Sequence, residues 1–218
     1  DIDIDAISRL HNELEQRVAV ALEKEFYEIY GRIKAQSVMY SVIDMSRRAI
    51  SNSALHMLSV AYVATGKADN ASALVLRHYN SSANMTDKLQ ALTDAVHLNL
   101  KCKQELLKSF EKDYSKNALA FDNYFRVQAT VPDVSAVDNV NELKKHPSYD
   151  GNNPNRVRAL PGALALSNPV ALHDISGDGY TVLCNEIKKL NSVNPSVAAR
   201  ILTPLLSYRR FDETRQAM

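Results

Sequence analysis

The sequence predicts an all-α protein, built as a solenoid-like superhelical stack of about ten to twelve short antiparallel helices. Apolar residues recur at intervals of three and four almost throughout, which is the spacing of one face of an α-helix. Alternation of apolar and polar residues, the pattern of a half-buried strand, is nearly absent, and only 6 of the 218 residues are glycine. We therefore assign residues 1–218 to one helical domain.

The first half of the chain is predicted to contain one long helical region followed by shorter helices. Up to Tyr30 we expect a long amphipathic helix or a helix pair, because one stripe of apolar residues runs through Ile4, Ile7, Leu10, Leu14, Val18, Leu22, Phe26 and Ile29. A helix from about Asp44 to Thr65 follows, with Gly66 as its C-cap. The remaining patterns predict helices at roughly 68–79, 86–98 with Thr86 as N-cap, 102–114, 117–130, and one capped by Asp133 or Ser135 that runs to about Lys145.

Three Asn-Pro pairs mark the last third of the chain: Asn153-Pro154, Asn168-Pro169 and Asn194-Pro195. An asparagine side chain can cap a helix, and proline at the first helical position lacks only a donor that would be unpaired there. The pairs therefore predict three helix starts. Pro161 lies inside the first of these helices and is expected to kink it.

Composition and charge narrow the function classes. The formal net charge is +1, with 26 basic against 25 acidic residues, which does not favour nucleic-acid binding. No apolar run approaches the roughly 20 residues needed to cross a membrane. Cys102 and Cys184 match neither a disulfide framework nor a metal-ligand spacing and favour a reducing, cytoplasmic location. The chain begins without methionine and stops inside a helical pattern, as expected of part of a longer protein.

Motifs for catalysis or metal binding are not found in the sequence. The six histidines include no H-E-x-x-H pattern, so we predict neither a catalytic residue nor a metal ligand here. "DISGDG", at 174–179, has the first half of a calcium loop, but the twelfth position holds Asn185 in place of glutamate. A polar turn between helices is the simpler interpretation.

Arginines near two of the Asn-Pro starts raise a different question. Arg158 follows Val157 in a segment whose expected core residues are Val157, Leu160 and Leu164, and we expect Arg158 to head a face continued by Gly162 and Ala165. In the last segment, a core stripe of Val197, Ile201 and Leu205 lies beside a polar stripe of Ser196, Arg200, Thr203 and Ser207. From spacing alone, each arginine, including Arg156, is interpreted as a surface side chain or part of a salt bridge between helices.

Several longer segments resemble one known family. "NPNRVRALPGALALSNPVALHDISGDGY" and "LNSVNPSVAARILTPLLSYRRFDETRQ", preceded by "SSANMTDKLQALTDAV" and "NALAFDNYFRVQATVP", are similar to the C-terminal domain of bacterial-type aminopeptidase N, a zinc metallopeptidase. The resemblance covers essentially all 218 residues. It departs from the family pattern at Pro161, where relatives have no proline, and relatives continue past Met218 into another helix.

The resemblance implies a cap over an active site that lies elsewhere in the parent protein. The zinc site, an H-E-x-x-H plus a downstream glutamate, belongs to an upstream catalytic domain, so this chain alone is expected to be inactive. Its implied partners are that catalytic domain and peptide substrates. Arg158 and Arg200 correspond to arginines that line the chamber, and Ser196 to a residue near the pocket for the first substrate side chain. Arg156 is interpreted as structural.

An independent helical-repeat scaffold that binds a protein partner is the alternative function. The two hypotheses differ in what precedes residue 1 in the gene. An H-E-x-x-H about three hundred codons upstream, on the order of one or two domains, favours the aminopeptidase cap. A start codon directly before Asp1 favours the scaffold.

Overall fold

A computed structural model describes residues 2–33 and 41–218 of the chain. The described residues form fourteen α-helices and one 3-10 helix, and they divide into two compact units. The N-terminal unit comprises Leu10–Tyr114. The C-terminal unit comprises residues 2–9 and 115–218.

Most helices of the N-terminal unit pack against the next helix along the chain. Its helices are α1 (Ile4–Ala21, which begins in the C-terminal unit), α2 (Glu23–Arg32), α3 (Val42–Ala64), α4 (Ala68–Ser81), α5 (Met85–His97) and α6 (Lys103–Tyr114). From α2 to α6 each helix contacts the next one, and α3 also contacts α5. The core between them is apolar and fully buried at Leu55, Leu58, Val75, Leu92 and Phe110.

Shorter helices make up the C-terminal unit. They are α7 (Ala118–Ala129), α8 (Ser135–Leu143), α9 (Pro154–Ala159), α10 (Pro161–Ser167), α11 (Pro169–Leu172), α12 (Asp178–Asn191), α13 (Pro195–Leu202), a 3-10 helix (Thr203–Arg210) and α14 (Glu213–Ala217). A core cluster joins α9 to α13 and is formed by Val157, Ala165, Leu172, Leu183, Leu190, Ala198 and Ile201.

The prediction of an all-α stack of short helices is confirmed, although the described residues contain more helices than expected. Of the two alternatives predicted for the first thirty residues, the helix pair is observed, as α1 and α2 divided at Leu22. An additional helix arises where the apolar pattern is interrupted at Leu160, between α9 and α10. At Leu160 the backbone turns to φ −112° and ψ −86°, and Pro161 becomes the first residue of α10. The expected kink is therefore a complete break, because proline starts a helix more readily than it continues one.

The three Asn-Pro helix starts are confirmed. The Oδ1 atoms of the three asparagines accept backbone N–H groups at 2.9, 3.2 and 3.2 Å, from Asn155, Ala171 and Val197 respectively. Gly66 has a φ of +75° directly after the Thr65 C-cap, as a glycine ending a helix should. The prediction for Thr86 is wrong: Asn84 caps α5, and its Oδ1 accepts from the Asp87 amide at 3.0 Å.

The apolar stripe predicted along the first thirty residues forms a helical face, but part of that face is exposed. In α1, the exposed fractions of Ile7, Leu10 and Leu14 are 59, 56 and 63%. Ala19, on the opposite side of the helix, is fully buried. The inward side of α1 is therefore the less apolar one.

Two backbones come into unusually close contact where α12 begins beside α11. Gly179 is buried there. A Cβ atom at this position would lie 2.6 Å from the carbonyl oxygen of Leu172 and 2.7 Å from its Cα atom. Only a residue without a side chain fits this approach.

Candidate functional site

Arg156 is a buried structural residue, as interpreted from the sequence. Its side chain is 7% exposed, and Nη1 donates to Asp122 Oδ1 at 2.5 Å and to the Ala118 carbonyl oxygen at 3.2 Å. The guanidinium carbon lies 5.7 and 5.1 Å from the ring centroids of Phe121 and Phe125. These contacts join α9 to α7 and leave Arg156 unsuited to binding an external ligand.

Arg158, two residues later on α9, is exposed to solvent. Its Nε donates to the Pro154 carbonyl oxygen at 3.1 Å, and Nη2 donates to Asn155 Oδ1 at 2.9 Å. Both acceptors are neutral and belong to the first turn of the same helix. Among the described residues no carboxylate lies within ion-pair distance of Arg158, so its charge is not neutralised by a neighbouring helix.

The expected face shared by Arg158, Gly162 and Ala165 does not exist. Gly162 and Ala165 are buried, whereas Arg158 is exposed. A Cβ atom at Gly162 would lie 2.9 Å from the Val157 carbonyl oxygen. The face is lost because the chain breaks at Leu160, so residues before and after the break no longer follow one helical period.

Arg200 and Ser196 are also exposed, on α13. The neighbouring stripe faces inward as predicted: Ile201 is fully buried, and Val197 and Leu205 pack against the same core cluster. In the part of the chain that the structure describes, Arg200 makes no ion pair. Val157 and Ile201 both belong to that cluster, so the helices that carry Arg158 and Arg200 pack against the same core.

The "DISGDG" segment is a turn that leads into α12. Asp174 Oδ1 accepts from the Ser176 amide at 2.9 Å, and Ser176 Oγ accepts from the Asp178 amide at 3.3 Å. The bond from the Ser176 amide also holds the pKa of Asp174 below its usual range. Across residues 2–33 and 41–218, no three side chains of His, Cys, Asp or Glu come together as a metal site would require.

Sequence reasoning missed a histidine held between two carboxylates in the N-terminal unit. His56 Nδ1 lies 2.7 Å from Asp94 Oδ1, and His56 Nε2 lies 3.1 Å from Glu15 Oε1. The hydrogen bond with Asp94 raises the pKa of His56 to about 9, with a smaller contribution from Glu15. No local motif could have indicated this group, because its members come from α1, α3 and α5.

None of the described helices combines the length and the apolar character that crossing a bilayer requires.

Comparisons with known proteins place the whole chain in one family. The model of the family described as a domain of unknown function (DUF3458_C), ARM repeats, matches residues 1–218. The chain is 37% identical over 217 residues to an aminopeptidase N of Haemophilus influenzae and 35% identical over 215 residues to that of Escherichia coli. These matches cover 100 and 99% of the chain but only 24% of each relative, so the chain spans about a quarter of their length.

A solved structure has the same fold. The crystal structure of Legionella pneumophila aminopeptidase A in complex with aspartic acid matches with a TM-score of 0.86, covering 99% of this chain and 26% of that one. The sequence identity is only 21%, so this similarity shows a shared fold and no more. The family match over its full length shows that the chain belongs to the DUF3458_C family of ARM-repeat domains, with aminopeptidases N among its homologues.

Proposed function

We propose that this chain is the C-terminal cap domain of a cytoplasmic zinc aminopeptidase that removes N-terminal amino acids from peptides. The main observation that supports this proposal is that the entire chain matches about a quarter of the length of aminopeptidase N. In this proposal residues 1–218 act as one domain that encloses the active-site chamber, and the catalytic domain of the same parent chain is its partner.

The described residues do not fit a zinc ion. Among them no three potential ligands converge, whereas a catalytic zinc needs three protein ligands. The metal is therefore assigned to the catalytic domain of the parent, and this chain contributes no step at the metal. Its own contribution is substrate binding.

Arg158, Arg200 and Ser196 are proposed to face the peptide. Support comes from their exposure on α9 and α13 and from the absence, among the described residues, of a carboxylate paired with either arginine. A guanidinium can donate two parallel hydrogen bonds to a carboxylate, such as the C-terminus of a short peptide. Ser196 is short, which would leave room beside the first substrate side chain.

Kinetics of the full-length parent enzyme test the arginines. Arg158→Ala and Arg200→Ala should each raise KM for tripeptides about ten- to a hundredfold, because a charge-assisted contact beyond the first residue is lost. KM for an alanyl anilide should change much less, since it lacks that part of the peptide. Arg158→Lys should restore only part of the affinity, because an ammonium cannot form the planar fork.

Arg126, an exposed arginine on α7, offers a matched control. Arg126→Ala should leave KM for both substrates unchanged. If Arg158→Ala or Arg200→Ala affects anilide and tripeptide equally and also lowers the melting temperature, the substrate-facing role is wrong.

The purified 218-residue chain should not hydrolyse aminoacyl substrates. The described residues bring no zinc ligands together. Release of the chromophore from an alanyl anilide, followed with and without added zinc, is the measurement. Zinc-dependent turnover by the pure chain would contradict the proposal that catalysis resides in another domain.

A further inference from the structure

Two Asp-Gly pairs occur in the sequence, Asp150-Gly151 and Asp178-Gly179. In such a pair the backbone amide of the glycine can attack the aspartate side chain, because glycine has no Cβ atom to obstruct the approach. Asp150 and Gly151 lie in the turn between α8 and α9, where Asp150 is exposed. Asp178 and Gly179 are the first two residues of α12. The same two residue types are therefore present in two different backbones.

The carboxyl group of Asp150 is held close to the peptide that follows it. Asp150 Oδ1 accepts a hydrogen bond from the Asn152 amide at 2.9 Å, which keeps the side chain folded back over the intervening Gly151 peptide. The same hydrogen bond withdraws electron density from the carboxyl group and makes its carbon, Cγ, easier to attack. In the described part of the chain the Gly151 amide donates no hydrogen bond, so its nitrogen is available for this attack.

A cation lies beside the same peptide. A Cβ atom at Gly151 would lie 2.6 Å from Lys189 Nζ, so the ammonium group is close to the Gly151 backbone. Attack by the amide nitrogen requires loss of its proton and places negative charge on the carboxyl oxygens of Asp150. A nearby positive charge stabilises both changes. Lys189, on α12, therefore favours the reaction in this turn.

The Asp178-Gly179 pair is held in a conformation that opposes the reaction. A ring between the Asp178 carboxyl carbon and the Gly179 nitrogen can close only if the peptide between them turns out of its helical geometry. Gly179 is buried, and a Cβ atom there would lie 2.6 Å from the Leu172 carbonyl oxygen. That peptide cannot turn without local opening of α11 and α12, which costs free energy.

We propose that Asp150 is a site of spontaneous isoaspartate formation, from which the fold protects Asp178. The Gly151 nitrogen loses its proton and bonds to Asp150 Cγ, while one carboxyl oxygen leaves as water, and a succinimide ring results. Water then opens the ring. When it attacks the former main-chain carbonyl of Asp150, the chain continues through Cγ and the product is isoaspartate. The water lost in the first step is regained in the second, so no other reactant is needed.

The modification changes the start of α9. The main-chain carbonyl oxygen of Asp150 accepts from the Asn153 amide at 3.1 Å, and Asn153 caps α9. In isoaspartate that carbonyl group becomes a free carboxylate and the backbone gains a methylene group, so the turn cannot keep its geometry. The inference does not depend on peptide binding by Arg158.

Ageing of the full-length protein at physiological temperature and pH tests the proposal. Peptide mapping with electron-transfer fragmentation distinguishes isoaspartate from aspartate, and unaged protein corrects for isoaspartate formed during digestion. Isoaspartate should accumulate at Asp150 at least about tenfold faster than at Asp178, which corresponds to an opening free energy of about 1.4 kcal/mol. A synthetic peptide of residues 146–155, aged alongside, shows when the ageing time is sufficient. Equal rates at the two sites, or unmodified Asp150 once the peptide has reacted, would overturn the proposal.

Substitution of Lys189 tests the contribution of the neighbouring charge. Lys189→Gln should slow isoaspartate formation at Asp150 about two- to fivefold, as expected of a charge interaction at the protein surface, and leave Asp178 unchanged. Lys188, an exposed lysine on the same helix, provides the matched control, and Lys188→Gln should not alter the rate. Equal rates in the two variants would show that Lys189 does not promote the reaction.

Discussion

The two units stabilise partly or fully buried positive charge in different ways. In the C-terminal unit the buried cations are guanidinium groups: Arg156 and Arg215 are each 6% exposed and bonded to carboxylates. In the N-terminal unit the corresponding group is the His56 imidazole, between Asp94 and Glu15. Arginine stays charged at every accessible pH, whereas histidine titrates. The two ion pairs of His56 are therefore sensitive to alkaline pH in a way that those arginine pairs are not.

Loss of Arg156 should have the largest effect. Arg156→Leu leaves the Asp122 carboxylate, 14% exposed, without its cation, and breaking a buried pair in this way costs about 3–5 kcal/mol. Urea unfolding followed by circular dichroism should show this loss. Adding Asp122→Leu should recover part of it, because the uncompensated charge is then removed. Arg158→Leu is the control and should change the free energy of unfolding by less than about 0.5 kcal/mol. Similar losses for the two arginines would contradict the contrast between them.

Loss of Asn168, a neutral side chain in the C-terminal unit, should have the next largest effect on the free energy of unfolding. Asn168 Nδ2 donates to the carbonyl oxygens of Ala129 and Val131 at 3.1 and 2.7 Å while its Oδ1 caps α11. Asn168→Ala should therefore cost about 2–3 kcal/mol, more than a cap alone. Asn194→Ala removes only a cap and should cost about 1 kcal/mol. Equal costs in urea unfolding would show that the two carbonyl contacts contribute nothing.

The His56 contribution should depend on pH. Its folded-state pKa of about 9 lies above the ordinary value of 6.5, so protonation favours the folded state. That stability is fully present below about pH 6.5 and is lost as the pH rises through 9. At pH 6 the free energy of unfolding of His56→Gln should therefore be about 2 kcal/mol lower than that of the unsubstituted chain. Solvent screening limits the effect to this size, because the imidazole is 31% exposed. The difference should approach zero at pH 10.

The other titrating groups are the same in the unsubstituted chain and in His56→Gln. Their contributions therefore cancel when the two free energies of unfolding are subtracted at each pH. A constant difference between the parent chain and His56→Gln from pH 6 to pH 10 would show that the imidazole charge does not stabilise the N-terminal unit.

Removal of an exposed partner should have the smallest effect. Asp5 Oδ2 lies 2.7 Å from Arg215 Nη2 but the Asp5 side chain is 70% exposed. Arg215 also keeps Asp212 and the His173 carbonyl oxygen as acceptors. Asp5→Asn should thus lower the free energy of unfolding by about 0.5 kcal/mol or less, and less still in high salt. A loss comparable to that of Arg156→Leu would mean that solvent exposure does not explain the different contributions of these ion pairs to the free energy of unfolding.

Local signals in the sequence were sufficient for most helices. Apolar spacing located the helices. The three Asn-Pro pairs marked where three of them begin, because capping and proline geometry depend only on neighbouring residues. The core positions Val157, Leu160 and Leu164 were predicted for the same reason and are buried. Thr86 was assigned as a cap in error because Asn84, two residues earlier, is the stronger capping type.

Long-range contacts could not be predicted in the same way. The roles of Arg156 and His56 are set by Asp122 and by Asp94 with Glu15, which lie 34 to 41 positions away in the sequence. Periodicity shows which residues share a helical face but not what that face meets, which is why the exposure of Leu14 was not expected. The exposure of Arg158 and Arg200 agrees with the polar positions assigned to them, and their contact with substrate stays a prediction.

The close approach at Gly179 bears on how the sequence can vary. Where two helices meet through side chains, a change in one residue can be compensated by a change in its neighbour. At Gly179 the contact is made by the Leu172 backbone itself, which every amino acid shares, so no second mutation opposite can create room. In a library of random variants this position should retain glycine alone, while nearby surface positions such as Thr181 accept many residues.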